Sequence, residues 1–326
     1  MIDRINSDSK IFKANSNKDI VYVSGLPRSG KSLFAPIISS FDESEHFKMD
    51  PIIEQFPILN HLGKISDEIA IYLLRYSIRL MIYNNYIGRN TNFRIEDETS
   101  IWKTNDPKGQ FEKLFINDGI TNYKEIKKNN SFFIIVLHNA LLYIKILFKS
   151  HPSIKIIDVK ANPIDIVFAW YDKKYGSDIY NKVNIDLLTI KYEKDILPFY
   201  ALGWEKEYLE LAPIDRIIKM IYTLEKEGAN QKDNLSKINQ GKILSVKYDE
   251  LINKPNRLLN IICDFLSMNK TYHTEKILKS QEMVDRKLNL EKRKQKFDKI
   301  KNISSKNSLN LLNNMIEIYE SDKNVK

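Results

Sequence analysis

The sequence of 326 residues predicts an α/β protein, a three-layer fold in which helices flank a central, mostly parallel β-sheet. Three observations indicate this class. Short β-branched apolar runs alternate with helical patterns, a loop framed by two glycines joins the first such run to the first helix, and prolines begin several helices. Because parallel strands are joined through crossover connections, this alternation predicts βαβ units.

Five segments have the pattern of strands. The first is the β-branched run 20–23, which ends at Ser24-Gly25 and is typical of a buried strand. The others are at 46–49, 100–103, 154–159 and 242–246.

Helical patterns lie between these strands, over 31–40, 66–87, 131–149, 162 onward, 213–227 and 255–266. Pro36 is expected to kink or shorten the first of them. Over 66–87 the apolar residues recur at the spacing of one helical face, at Ile69, Tyr72, Leu73, Tyr76, Leu80 and Tyr83. The apolar run 132–148 is interrupted by His138, Asn139 and Lys145, which favours a buried helix over a membrane span.

The composition is that of a globular chain with a sizeable core, because 43% of the residues are hydrophobic and 29% are charged. One domain is expected over 19–280, after a polar leader at 1–18 and before a charged segment at 281–326 that is predicted to form one or two helices. The net charge of +9 favours anionic ligands without indicating a nucleic-acid partner.

The number and spacing of cysteines and histidines exclude several kinds of covalent and metal site. The single cysteine, Cys263, excludes an internal disulfide and a Cys₄ zinc site, and the five histidines show no metal-ligand spacing. The leader has no apolar signal core. These features predict a cytoplasmic protein that needs no metal and has no integral membrane association.

The segment Gly25–Ser32 has the pattern G-x-x-x-x-G-K-[ST] between a strand and a helix, which is the context that a phosphate-binding P-loop requires. In such a loop, successive backbone N–H groups curl around an anion at a positive helix end, and Lys31 adds a point charge. The sequence therefore predicts a P-loop fold that binds a nucleotide-type anion.

The stretch 27–32, Pro-Arg-Ser-Gly-Lys-Ser, resembles the 5′-phosphosulfate loop of sulfotransferases. Three later segments are similar to other blocks of that family: 102–107 to its Lys-Thr-His-x-Pro stretch, 162–170 to its 3′-phosphate segment, and 246–266 to its Tyr-Glu-x-Leu, Pro and Phe-Leu block. The resemblance covers residues 20–268. It implies transfer of a sulfuryl group from 3′-phosphoadenosine 5′-phosphosulfate to a hydroxyl or amine of a small-molecule or glycan acceptor.

The resemblance also implies which residues hold the donor. They are Asp165 of the 3′-phosphate segment and the loop residues Pro27, Arg28, Ser29, Gly30, Lys31 and Ser32. Ala161 and Ala169 stand where the family has an arginine and a serine, and Lys160 is a candidate for the missing charge. The basic run 292–296 could close over the donor or form a solvated helix face.

Catalysis requires cations on the transferring group and a base opposite the loop. Arg28, Lys31 and Lys103 are the candidates for stabilising the developing charge. Asn105 stands where cytosolic relatives carry a catalytic histidine, which makes carboxylates the better candidates for the base.

Asp50 and Glu54, which follow the predicted strand 46–49, are ranked as bases above Asp106. The aromatic turn 198–204 could line an acceptor pocket or pack against a lid. Nothing in the sequence chooses the acceptor.

Two other functions stay open. A magnesium-dependent kinase is suggested by Lys31-Ser32, with Asp158 at a strand end as a second carboxylate. A non-catalytic nucleotide-binding member is suggested by Ala161, Ala169 and Asn105, because each removes a group that active relatives use.

Overall fold

The structure, a computed structural model, describes residues 19–128, 131–177, 188–281 and 290–322. Its strands are β1 Ile20–Ser24, β2 Phe133–Val136, β3 Lys155–Lys160, β4 Thr189–Tyr192, β5 Asp195–Pro198 and β6 Ile243–Lys247. Four of them form one parallel sheet in the order β2-β1-β3-β6, and β4 and β5 form a separate antiparallel hairpin. The predicted α/β class is confirmed.

The helices are α1 Lys31–Ile38, α2 Pro51–His61, α3 Asp67–Tyr86, α4 Pro107–Glu112, α5 Asn122–Lys128, α6 Ile144–Ser150, α7 Pro163–Asp172, α8 Glu205–Glu210, α9 Pro213–Asp233, α10 Lys237–Gln240, α11 Tyr248–Asn253, α12 Pro255–Leu266, α13 Tyr272–Ser280, α14 Leu290–Ile303 and α15 Lys306–Ser321. Short 3₁₀ turns cover Ile101–Lys103, Lys113–Phe115, Ala140–Tyr143 and Phe199–Ala201. Five predicted helices are confirmed as α1, α3, α7, α9 and α12, although some ends differ. Side-chain caps stabilise the first turns of α3 and α7. The Ser66 side chain accepts from the backbone N–H of Ile69, and the Asn162 side chain accepts from that of Ile164.

Alternate residues of β1 face opposite layers of the fold. Ile20 and Tyr22 pack in a core that includes residues of α3, α6, α7 and α9, whereas Val21 and Val23 pack in a second core with α1 and α12. Both faces of β1 are therefore covered, as expected for a parallel sheet. The loop that follows β1 emerges at the carboxyl edge of the sheet, where β2, β3 and β6 also end.

The prediction of one helix over 131–149 is wrong. The chain forms β2, then a turn at His138-Asn139, then a 3₁₀ turn and the short helix α6. Asn139 takes a left-handed conformation with φ of 54°, which an asparagine tolerates and which ends the strand. A continuous apolar run does not separate a strand buried on both faces from a buried helix, because neither shows a polar face.

Two predicted strands are also wrong. The segment 46–49 makes only an isolated parallel bridge, in which the Lys48 N–H donates to Ile134 O and Lys48 O accepts from the Val136 N–H, both at 2.9 Å. The segment 100–103 forms a 3₁₀ turn, with the Thr104 N–H donating to Ile101 O at 3.1 Å. Neither segment therefore extends the main sheet.

The periodicity of α3 correctly predicts a helix but indicates the wrong face as buried. The core face consists mainly of Ala70, Leu74, Ile78, Met81 and Ile82. Most of the apolar stripe identified in the sequence faces solvent instead, because this helix is apolar on two sides.

The charged segment after residue 281 contains α14 and α15, which pack on α7 and α9. Ile300, Leu312 and Met315 are buried there and belong to the same core as β1. The leader 1–18 lies outside the described residues. Among the described helices, none is both long and apolar enough to cross a membrane.

Candidate functional site

The loop Gly25–Ser32 joins β1 to α1 and requires glycine at both of its framing positions. Gly25 has φ of 146° and Gly30 has φ of 94°. A Cβ at Gly30 would lie 2.4 Å from Cδ2 of Tyr248, and one at Gly25 would lie 2.4 Å from the carbonyl oxygen of Val159. The close approach of these groups, together with the positive φ, explains the two glycines.

Contacts from the other side of the sheet hold the loop in place. Trp170 is buried in α7, and its indole N–H donates to Pro27 O at 2.8 Å. The Tyr200 ring is stacked on Trp170 with centroids 6.3 Å apart, and the Tyr200 hydroxyl accepts from the Asn139 amide at 3.0 Å. The backbone N–H of Asn139 in turn donates to Gly25 O at 3.2 Å. The loop is therefore held at its first and third residues.

The same contacts define the role of the aromatic turn 198–204. Phe199, Tyr200 and Ala201 are buried, and no residue of the turn lines the cavity around the loop. The turn therefore packs in the core and supports Trp170.

Lys31 is the most electrostatically unusual group of the loop. Its side chain is buried, and its ammonium donates to Leu26 O at 3.1 Å. Burial lowers the pKa of Lys31 to about 7, while the charge of Glu54 raises it and that of Arg28 lowers it further. An anion in the loop would stabilise the charged form.

A cavity of about 800 Å³ opens at the loop. This volume is within the range of small-molecule sites, which is roughly 300–1,000 Å³. All six predicted donor residues of the loop line it, and so does Asp165. Other parts of the chain contribute Met49, Val136, His138, Ala161, Asn162, Ala169, Tyr175, Tyr248, Asp249, Ile252, Lys292, Arg293 and Lys296.

His138 is the residue of this cavity that sequence reasoning missed. It follows β2 at the carboxyl edge of the sheet, and its Nδ1 lies 2.8 Å from Oε1 of Glu54. The same oxygen accepts from the His138 backbone N–H at 2.7 Å, so Glu54, in the first turn of α2, fixes both the strand end and the ring. The sequence signal for this residue was a histidine just after an apolar strand at this edge of the sheet. Because the sequence pattern predicts one helix over 131–149, it does not identify that strand.

The other predicted catalytic residues lie elsewhere. Asp50 and Asp106 cap helices, Asp50 by accepting from Ile52 N at 3.1 Å and Asp106 from Gly109 N at 2.8 Å. Lys103 donates to Glu98 at 3.2 Å on the surface. None of these three side chains lines the loop cavity.

Helix α14 supplies further cations to the cavity, and we call the part of the lining around them the α14 end. Arg293 binds Asp165 at 2.5 Å and Asp249 at 2.9 Å, and Lys296 binds Asp165 at 2.6 Å. Although burial by itself lowers the pKa of Arg293, Asp249 and Asp165 raise that pKa above its usual value. Part of the basic run 292–296 therefore lines the cavity, beside the positions of Ala161 and Ala169.

Lys160 faces a second cavity of about 660 Å³ rather than the loop cavity. Its ammonium is 3.2 Å from Asp158 and also binds Glu225. Burial lowers the pKa of Lys160, but the two carboxylates outweigh burial and raise it above its usual value.

Asp158, the carboxylate required by a kinase, is thus engaged by Lys160 and does not line the loop cavity. Within the described ranges, no cluster of His, Cys, Asp and Glu side chains has the arrangement of a metal site.

The profile of the sulfotransferase domain family matches residues 18–325, which is nearly the whole chain. The chain belongs to the sulfotransferase family. It is therefore a sulfotransferase enzyme of P-loop α/β fold. No curated protein matches the chain.

Solved structures with low similarity include the sulfotransferase domain of the curacin biosynthetic pathway, with 12% identity, coverage of 79% of this chain and 76% of that chain, and a TM-score of 0.44. The sulfotransferase domain of the Synechococcus PCC 7002 olefin synthase has 12% identity, coverage of 96% and 90%, and a TM-score of 0.43. Sulfotransferase STF1 from Mycobacterium tuberculosis H37Rv has 10% identity, coverage of 86% and 76%, and a TM-score of 0.40. Family membership depends on the domain match, not on these likenesses.

Proposed function

We propose that this sulfotransferase uses 3′-phosphoadenosine 5′-phosphosulfate as donor and transfers its sulfuryl group to a hydroxyl or amine of a small-molecule or glycan acceptor. The observation that carries the proposal is the loop cavity, which the phosphate loop and a carboxylate-bound histidine both line. Such a cavity can hold an anionic donor and a proton acceptor together.

The 5′-phosphosulfate would bind the loop. The backbone N–H groups that precede α1 and the positive end of this helix favour an anion, and the side chains of Arg28 and Lys31 add charge. The negative charge that develops on the bridging oxygen during transfer needs the same stabilisation. The loop therefore serves both donor binding and the transfer step.

The 3′-phosphate would bind at the α14 end of the cavity. Ala161 and Ala169 offer no charge or hydroxyl there, whereas Arg293 and Lys296 line the same end. Both cations are preorganised by Asp165, which acts through them and not as a direct ligand of an anion. Recognition of the 3′-phosphate is thus assigned to helix α14.

His138 would be the general base. With its Nδ1–H donated to Glu54, the neutral imidazole presents Nε2 as the proton acceptor. The acceptor oxygen or nitrogen forms a bond to sulfur as its proton passes to Nε2, and the bond from sulfur to the 5′-phosphate oxygen breaks. The electron pair of that bond leaves with 3′-phosphoadenosine 5′-phosphate. Glu54 orients the ring and stabilises the imidazolium.

We also propose a cytoplasmic location, which the usage of a single, buried cysteine supports.

The test is a turnover assay on the purified chain. Release of 3′-phosphoadenosine 5′-phosphate from the sulfated donor is followed over a panel of alcohols, phenols, amines and glycans, with and without a chelator. We expect acceptor-dependent release that a chelator leaves intact. Donor binding without release over the panel, or phosphoryl transfer from ATP that requires magnesium, would refute the proposal.

A further inference from the structure

The turn that carries His138 makes a hydrogen bond at each of its backbone N–H groups from position 137 to position 140. We call these residues the base turn. Three of the four acceptors belong to 23–25, which is the end of β1 and the first residue of the phosphate loop. The bonds are Leu137 N–H to Val23 O at 3.1 Å, His138 N–H to Glu54 Oε1 at 2.7 Å, Asn139 N–H to Gly25 O at 3.2 Å and Ala140 N–H to Ser24 Oγ at 2.9 Å.

Asn139 has the least favourable backbone conformation of the base turn. Its φ of 54° and ψ of 34° lie in the left-handed region, which asparagine adopts more readily than most residues but still at a cost. The side chain is buried, and its amide donates to the Tyr200 hydroxyl at 3.0 Å. This bond therefore helps to hold the base turn in its conformation.

Tyr200 supports the two parts of the site through two different groups. Its ring is stacked on Trp170, whose indole N–H donates to Pro27 O of the phosphate loop at 2.8 Å. Its hydroxyl binds the Asn139 amide of the base turn instead. Tyr200 is 7% exposed and is not among the residues that line the loop cavity. It therefore acts through its neighbours and not on a bound ligand.

We propose that Asn139 and Tyr200 are positioning residues, whose hydrogen bond sets the place of His138 relative to the phosphate loop. The inference rests on the function proposed above, in which the loop holds the donor and His138 is the general base. The rate then depends on the distance between the two, and small displacements of reacting groups lower rates steeply. Donor binding depends on the loop itself. Loss of the hydrogen bond should therefore lower kcat and leave donor affinity unchanged.

Tyr200→Phe tests this directly, because it removes the hydroxyl and retains the ring that stacks on Trp170. We expect kcat to fall by roughly tenfold, while the KM for the donor stays within twofold of wild type. The matched control is Tyr22→Phe in β1. Tyr22 is fully buried, and its hydroxyl has no hydrogen-bond partner within the described residues, so the control should keep the wild-type kcat. A rise in KM as large as the loss in kcat would overturn the proposal.

A double-mutant cycle tests whether the two residues act through one bond. Asn139→Gly removes the amide, and glycine adopts the left-handed conformation without strain. Because either variant breaks the same hydrogen bond, the double variant should be no slower than the slower single variant, within about twofold. Losses that multiply in the double variant would contradict a shared role.

Amide hydrogen exchange, followed by mass spectrometry, tests the positioning without donor or acceptor. In Tyr200→Phe, exchange should rise in the base turn by about tenfold more than in β3, which reports the stability of the sheet. A wild-type chain without turnover would refute the proposed function, and the exchange result alone would then decide this inference. An equal change in both segments, or no change, would overturn it in either case.

Discussion

The cations at the two ends of the loop cavity differ in how strongly carboxylates of the protein already bind them. At the loop end, Arg28 and Lys31 stand on a rigid turn, and burial lowers the pKa of Lys31 to about 7. At the α14 end, Arg293 is already bound by the two carboxylates Asp165 and Asp249. An anion at the loop end would meet cations that few groups of the protein already bind. An anion at the α14 end would have to share its cations with carboxylates. We therefore expect the loop end to dominate both affinity and rate.

The largest effect should come from the base at the loop end. His138→Ala should lower kcat by roughly 10²–10⁴-fold, because a positioned proton acceptor is lost, and should leave donor affinity nearly unchanged. Steady-state kinetics and calorimetry measure the two quantities. His273→Ala, in helix α13 away from the cavity, is the control. A kcat within about twofold of wild type would remove His138 from the mechanism.

The next effect compares the two ends directly. Arg28→Ala should cost on the order of 10²–10³ in kcat, as loss of one preorganised stabilising group does. Lys292→Ala, at the α14 end, should cost far less. Equal, small losses in both variants would contradict the assignment of transfer chemistry to the loop.

Glu54→Gln should lower kcat by about tenfold to a hundredfold, which is less than loss of the histidine itself. Glutamine retains an acceptor for the His138 ring but not the charge that stabilises the imidazolium. Steady-state kinetics measures the change. A kcat within about twofold of wild type would mean that the charge of Glu54 plays no part in the transfer step.

Donor binding should depend on the charge of Lys31. Because its pKa is about 7 in the free protein and a bound anion raises it, affinity for 3′-phosphoadenosine 5′-phosphate should fall as pH rises above 7. Lys31→Arg keeps its positive charge at all these pH values. Titration of the ligand itself affects both proteins equally, so the difference between their pH profiles reports the charge of Lys31. We expect wild type to lose about tenfold more affinity than this variant between pH 7 and 9. Parallel profiles would refute the assignment.

The smallest effect is expected from Arg293→Ala, about fivefold to tenfold on the KM for the donor with little change in kcat. Its partners Asp165 and Asp249 lose a shared cation, so part of the loss reflects their repulsion. Affinity for adenosine 5′-phosphosulfate, which lacks the 3′-phosphate, should not weaken. Equal losses for both nucleotides would remove the α14 end from 3′-phosphate recognition.

The sequence predicts the parts of the site that lie in one local pattern. The loop between Gly25 and Ser32 is set by glycines, a lysine and the flanking strand and helix, and Pro163 and Pro255 start α7 and α12 as expected. Local signals of this kind need no knowledge of the partner segments.

The base could not be located in the same way, because its position depends on identifying β2. The run 132–137 is apolar at every position, so neither period is visible, and only the left-handed turn at Asn139 separates β2 from the 3₁₀ turn and helix α6. Tertiary contacts, which the sequence does not show, decide where Lys160 and Arg293 lie. Lys160 turns away from the loop because Asp158 and Glu225 pair with it, and Arg293 reaches the cavity from 128 residues beyond Asp165.

The central claim is that the loop cavity binds 3′-phosphoadenosine 5′-phosphate, and calorimetric titration without magnesium tests it most directly. The matched variants are Gly30→Ala, whose Cβ would meet the Tyr248 ring at 2.4 Å, and Gly63→Ala, which has φ of 65° and nothing within 4 Å. We predict one-site binding that Gly63→Ala retains and Gly30→Ala loses. Absence of binding in wild type, or equal binding by both variants, would contradict the claim.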